Sequence, residues 1–426
     1  MKEDLVSYIW RYKLWTNITL TTQNGETVEV IDCGLPNNDA GPDYFNAKVK
    51  IGETTWAGNV EIHVRASDWS RHKHENDEAY NNVVLHVVAQ SDTVIKNAKG
   101  EEVPQVELQI PVKYVQLAEQ LIQSQQPIAC GKYWDDKLKA RLELMLNGLV
   151  CERLENKVTA IQEILGSNQN NWEETFYQIL ARSFGMKVNN EAFYQTARSL
   201  PQSYLGKQKD NLLQIEALLM GQAGLLENVE KTDEYINSLI TEYKFLKAKY
   251  NLSPINRNLW KIGRIRPANS PWVRLAELAM LVHHSEHLFM KTVGTKDVKS
   301  LHELFTFNAS DYWQTHYHPA EESPKSDKKI GESLRNSLLI NCVVPMLFAY
   351  GKHTGNEALK ERAFDLLNSL PAEENSISKI WSEYGFTPKN AYDTQALLEQ
   401  KKNYCDKKDC LRCKLGYQVI KKTIQQ

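Results

Sequence analysis

The spacing of apolar residues along this chain changes once, near residue 115, and that change limits what the chain can fold into more than any other feature. From Trp15 to about Val112 the spacing is that of strands. NITLTTQNGETVEVID, residues 17–32, places two β-rich runs on either side of Asn24-Gly25, the dipeptide that most favours a tight hairpin. AKVKIGETTWAGNVEIHV, residues 47–64, repeats the form, with Ile51-Gly52-Glu53 at the turn and alternation through Val60, Ile62 and Val64. NVVLHVV, residues 82–88, is apolar enough for a central strand, and VELQI, residues 106–110, is expected at an edge. Leu5, Ile9 and Trp10 have helical spacing within residues 4–13, so at least one helix is expected to flank a mixed sheet.

Beyond Val112 the period is helical. Residues 138–158 alternate charges with Leu142, Leu144, Leu146, Leu149 and Leu154, and residues 172–184, 212–226, 232–250, 273–290, 333–350 and 356–370 read the same way. Gly185, Pro201, Gly224, Pro254, Pro267, Pro271 and Pro371 separate these stretches. The predicted class is α+β: a β-rich domain over residues 1–115, then a larger all-helical domain over 116–426 that ends in a cysteine-rich tail. The polar run AEESPKSDKK, residues 320–329, is the expected flexible loop.

Charge and hydropathy exclude several functional classes. Lys plus Arg number 51 and Asp plus Glu 53, a net charge of −2, so the whole chain is no general polyanion binder and any nucleic-acid surface must be local. No window offers the roughly 20 apolar residues that span a bilayer, and a membrane is not expected as a partner. The opening MKEDLVSYIWRYKLW carries acids at once and lacks the pattern of a secretory signal, so a cytoplasmic location is expected. Seven cysteines, three of them crowded near the end, fit reduced thiols and a metal better than a disulfide framework.

The richest stretch for chemistry is residues 41–82. Pro42-Asp43 opens one predicted strand and Glu61-Ile62-His63 lies in the next, where alternation puts Glu61 and His63 on one face and Ile62 on the other. Paired as a hairpin, the two strands bring Asp43 opposite Glu61, two hard oxygen ligands suited to Mg²⁺ or Mn²⁺. Just downstream, His72 and His74 project together if the chain is extended there. With Asp77 they make either an imidazole–carboxylate metal set or groups for proton transfer. His86, inside an apolar strand, reads as a hydrogen-bonded structural histidine.

This arrangement resembles the PD-(D/E)xK nuclease core, in which a helix precedes a hairpin bearing Pro-Asp and then Glu-x-Lys. Pro42, Asp43 and Glu61 match, while His63 occupies the lysine position. The resemblance implies a restriction-endonuclease-like fold and phosphodiester hydrolysis with Asp43 and Glu61 as ligands, His63 in place of the lysine, and His72, His74 and Asp77 in support. Lysine carries a permanent charge and neutral histidine does not, so either the chemistry is modified or the scaffold is inactive.

WKIGRIRPANSPWVR, residues 260–274, interleaves Lys261, Arg264, Arg266 and Arg274 with Trp260 and Trp272, a local candidate for DNA or RNA. The same arginines also suit struts to carboxylates such as Glu216, Glu242 and Glu277. Near the end, Cys405-x4-Cys410-x2-Cys413 presents three thiols for zinc or an iron–sulfur cluster, with Cys130 the first candidate for a fourth ligand. Cys33, Cys151 and Cys342 read instead as small buried hydrophobes.

GPDYFNAKVKI, WAGNVEIHVRASDW, HKHENDEAYNNVVLHVV, IEALLMGQAGLL, RIRPANSPWVRLAELA, FAYGKHTGN and YCDKKDCLRCKLG together resemble an uncharacterised bacterial family filed as a domain of unknown function. That resemblance implies a shared architecture and carries no activity. Three functions are therefore expected in competition: a metal-dependent nuclease, a non-catalytic nucleic-acid- or protein-binding scaffold with a degenerate nuclease fold, and a metal-dependent hydrolase of a small substrate.

Overall fold

A computed structural model describes residues 2–37 and 40–425, without the side chains of residues 423–425. The chain divides into two compact units, residues 1–145 with 400–426, and residues 146–399. The change of period near residue 115 marks the end of the strands of the first unit, and the helices that follow it are shared between the two units.

The first unit opens with α1 (Glu3–Arg11), which buries Leu5, Val6, Tyr8, Ile9 and Trp10. Seven strands follow: β1 (Leu20–Thr21), β2 (Thr27–Asp32), β3 (Leu35–Pro36), β4 (Tyr44–Ile51), β5 (Thr54–Arg65), β6 (Val83–Gln90) and β7 (Gln105–Glu107). They form one sheet in the order β1-β2-β4-β5-β6-β7, with β3 paired to β4. The first pairings are antiparallel hairpins turning where the sequence places them, at Asn24-Gly25 and at Ile51-Gly52. From β5 to β6 to β7 the pairing is parallel. A parallel neighbour cannot be reached by a tight turn, and the crossover from β5 to β6 holds α2 (Asp68–Arg71) and two 3-10 turns, His74–Asn76 and Glu78–Asn82.

The stretch expected as an edge is tied down. Thr22 bridges Val106, the Gln23 amide donates to the Gln105 carbonyl at 3.1 Å, and the Gln105 amide donates to Gln23 Oε1 at 2.7 Å. The sheet thus curls until its first and last strands touch. The unit is completed by α3 (Val112–Gln123), by the start of α4 (Asp136–Ser167) and by the terminal helix Lys414–Gln425, on which Tyr417 stacks against Tyr12 at 4.3 Å.

The second unit is helical apart from one short hairpin, His316–His318 with Glu321–Glu322. Its helices begin where side chains can cap them: Asn171 accepts from Glu174 N, Asn211 from Gln214 N, Asp233 from Ile236 N and Asn356 from Leu359 N. The polar run 320–329, expected to be loose, is anchored instead. Its backbone bonds to Thr315 and Gln314, and Lys328 is buried. Among the described residues no helix is long and apolar enough to cross a membrane.

Helices Leu212–Gln222 and Glu234–Tyr250 meet at Gly221, where an added Cβ would lie 2.1 Å from Tyr243 Cγ. Gly221→Ala would therefore expel the Tyr243 ring and break its hydroxyl bond to Gln222 Oε1. Overpacking of this kind outweighs the gain in helix propensity. The expected loss is about 2 kcal/mol, read as a lower denaturant midpoint.

Candidate metal centre

Asp43, Glu61, His63, His72 and His74 converge on β5. At Val60–His63 both faces of the strand are buried, so Ile62 can fill one side while Glu61 and His63 share the other. The register places Glu61 beside His86 on β6 and His86 beside Gln105 on β7, a polar row across three parallel strands. Asp43 stands just before β4. Its amide donates to Glu61 Oε2 at 3.1 Å and its Oδ2 accepts from the Ile62 amide at 3.0 Å. Burial and the neighbouring Glu61 carboxylate push the Asp43 carboxyl up to about 7.

His72 and His74 join them by a route other than strand alternation. His72 ends α2, Lys73 takes the left-handed conformation at φ 65°, and His74 opens the following 3-10 turn. That single reversal throws both rings back toward β5. The result is a set in which ligand atoms of His63, His72 and His74 all lie within 4.8 Å of one another. His63 Nε2 is 3.1 Å from His72 Nδ1 and 3.6 Å from Glu61 Oε1, while His74 Nε2 is 3.3 Å from that same oxygen. Ligand bonds of about 2.0–2.1 Å around a tetrahedral ion place neighbouring ligand atoms roughly 3.3 Å apart, the spacing seen here. His74 Nε2 is buried, with the Glu61 carboxylate oxygen beside it.

The protonation of His63 follows from its neighbours. The Thr93 carbonyl can only accept, and it faces Gln105 Nε2 at 3.3 Å, which turns Gln105 Oε1 toward His86. His86 Nδ1 must then carry a proton for Oε1, leaving its Nε2 to accept from His63 Nδ1 at 2.8 Å. His63 Nε2 is left with its lone pair directed into the cluster. Burial and the adjacent imidazoles hold His63 at about 2, far below the usual imidazole range, and burial holds His86 at about 4. Histidine at the lysine position is therefore neutral and not a standing cation.

Gln105 and His86 orient His63 without reaching the cluster, the position of groups whose loss weakens metal binding instead of removing a donor. Gln105→Leu is expected to lower divalent-metal affinity about 10- to 100-fold, measured by calorimetry on the purified chain.

Other candidates take other places. Asp77 caps the turn that follows it, accepting from the Ala79 amide at 2.9 Å. Cys130, Cys405, Cys410 and Cys413 are all buried in the first unit. In the second unit Lys261, Arg264 and Arg266 are exposed. Arg274 is committed, donating to Glu277 Oε2 at 2.7 Å and to Asn269 Oδ1 at 2.8 Å, which removes it from a phosphate-binding surface. Burial, opposed by Arg274, pushes the Glu277 carboxyl up to about 7. Glu216 is held by Tyr235, Ser310 and Trp313, and Glu242 accepts from Gln214.

Two contributors are not evident from the sequence. Gln105 looks like an ordinary strand glutamine, and only its register against His86 reveals its part. Glu3 reads as a first-turn acid of α1, yet partial burial and then the Glu61 carboxylate raise its pKa, which places it in the field of the cluster.

Fold and site together define an α+β protein whose mixed sheet carries a histidine–carboxylate cluster. The chain belongs to the family described as Protein of unknown function (DUF2851), whose model matches residues 3–376. No curated protein and no solved structure matches the chain significantly. The matched span contains every residue of the cluster and stops short of Cys405, Cys410 and Cys413.

Proposed function

We propose that this protein is a metal-dependent phosphodiesterase acting on DNA or RNA. The observation that carries this reading is the meeting of Glu61 with His63 and His74 at 3.6 and 3.3 Å, beside Asp43 at the mouth of the β4–β5 hairpin. An antiparallel hairpin bearing Asp43 and Glu61, a helical crossover and a parallel strand also support the nuclease-like reading made from the motif. Glu61, His63 and His74, with Asp43 beside them, would hold one divalent ion. Of Mg²⁺ and Mn²⁺, imidazole nitrogens favour Mn²⁺. Such an ion supplies Lewis acidity toward a phosphoryl oxygen. His86 and Gln105 hold the lone pair of His63 inward, and the solvent-exposed His72 is the imidazole open to exchange a proton with substrate or water. Free thiols at all seven cysteines suit a reducing, cytoplasmic compartment.

The exposed Lys261, Arg264 and Arg266 favour a second reading, a scaffold that binds nucleic acid without cutting it. Both are decided by incubating the full chain with single- and double-stranded DNA and with RNA, in Mn²⁺, Mg²⁺, Zn²⁺ or chelator. Cleavage that needs metal supports the first. Salt-dependent binding that is lost in Arg264→Ala plus Arg266→Ala, with no cleavage under any metal, supports the second. A chain that binds no divalent ion overturns the centre itself.

A further inference from the structure

Four of the seven cysteines line one small cavity in the first unit: Cys130, Cys405, Cys410 and Cys413, joined there by Gln400 and Gly416. Each is buried, between 6% and 8% exposed, and none is in a disulfide. Their positions in the chain do not bring them together by accident of proximity, since Cys130 precedes the others by more than half of the sequence. Several devices deliver them. Cys130 sits at the head of the 3-10 turn Gly131–Tyr133. The helix before the tail widens into a π segment, Gln400–Cys405, a form that recurs at functional sites. Lys408, left-handed at φ 56°, then reverses the chain toward Cys410. Cys413 stands at the start of the terminal helix, accepting from the Tyr417 amide at 2.9 Å. The helix lies so close to the loop that a Cβ on Gly416 would come within 2.0 Å of the Cys410 carbonyl oxygen.

Thiols acting only as small hydrophobes need no common focus, and these share one. The cavity also has a donor aimed at sulfur: Gln400 Nε2 lies 3.2 Å from Cys413 Sγ and 3.9 Å from Cys405 Sγ. Amide donors to thiolate sulfur are a means by which proteins tune metal–sulfur centres. Four buried thiols can take a single zinc, with Zn–S of about 2.3 Å, or a cubane of iron and sulfide with one thiolate at each iron. The π segment that carries Gln400 and the amide it directs at two of the sulfurs favour the cluster, whose potential such hydrogen bonds set.

We propose that Cys130, Cys405, Cys410 and Cys413 ligate a [4Fe–4S] cluster, each thiol giving up its proton as it binds an iron. The site is independent of the histidine–carboxylate centre. The test is the full chain, purified anaerobically and reconstituted with equal amounts of ferric and ferrous iron and with sulfide. About four irons and about four acid-labile sulfides per chain are expected, with a broad visible absorption that bleaches on reduction by dithionite. Acid-labile sulfide cannot come from imidazoles and carboxylates, so this readout stands or falls apart from any nuclease activity. One zinc per chain with no iron uptake, or no metal at all, overturns the proposal. For the ligands, Cys130→Ser and Cys410→Ser are expected to lose the sulfide and the absorption, while Cys151→Ser, in the second unit, keeps both. Full sulfide retention in Cys130→Ser overturns its assignment as the fourth ligand.

Discussion

Glu61→Ala is expected to bind manganese about 100-fold more weakly or worse and to lose metal-dependent cleavage of nucleic acid at any metal concentration that saturates the wild type. Glu61 has two tasks in the structure. Its Oε1 faces both His63 and His74, and its Oε2 accepts from the Asp43 amide, so one truncation removes the carboxylate proposed as a ligand and frees the strand start that carries a second carboxylate. Losing even several kcal/mol of Lewis-acid stabilisation corresponds to a rate loss of more than roughly a hundredfold. Calorimetric titration with Mn²⁺ and a cleavage assay read the two effects separately. Binding and cleavage both within threefold of wild type would place the chemistry elsewhere in the chain.

Trp69→Ala is expected to cost about 3–5 kcal/mol of stability. The ring is wholly buried in a cluster with Ala66, Tyr80, Val83, Val88, Ile95 and Val103, and its indole nitrogen donates to the Lys96 carbonyl at 2.9 Å. Removing it leaves a cavity and takes the donor from the Lys96 carbonyl. Since domains hold only about 5–15 kcal/mol in reserve, this is a large share. The same ring stands edge-on to His74 and to His86, each at 5.4 Å, so metal affinity is expected to fall with stability. Chemical denaturation followed by far-UV circular dichroism checks the first effect. A loss below about 1 kcal/mol would mean that the surroundings collapse to fill the space.

Much of this architecture is legible from local pattern. Asn24-Gly25 and Ile51-Gly52 turn the hairpins because the chain chemistry there admits a tight reversal. The helix expected over residues 172–184 occupies those same residues because Asn171 caps it and Gly185 follows it. Asp43, Glu61 and His63 could be grouped because a hairpin makes their separation in sequence a short distance in space. What local pattern does not encode is geometry set by a single residue or by a distant partner. The approach of His72 and His74 depends on a left-handed lysine, a conformation with no compositional signature. The sheet closure rests on the pairing of Thr22 and Gln23 with Val106 and Gln105, residues more than eighty positions apart. Arg274 looks as free as Arg266 until Glu277, one turn along the same helix, is seen to hold it. A run as polar as residues 320–329 reads as loose, yet its backbone is claimed by Gln314 and Thr315.

The contact between the first and last strands bears on how this protein behaves in a crowd. A sheet ordinarily offers its outer strands as templates, and a passing extended peptide or a second, partly unfolded copy can extend the ladder from them. Here Thr22 and Gln23 engage Val106 and Gln105, so the amides and carbonyls that would recruit a visitor are spent on each other. Self-association by strand addition at these two strands must first part that seam.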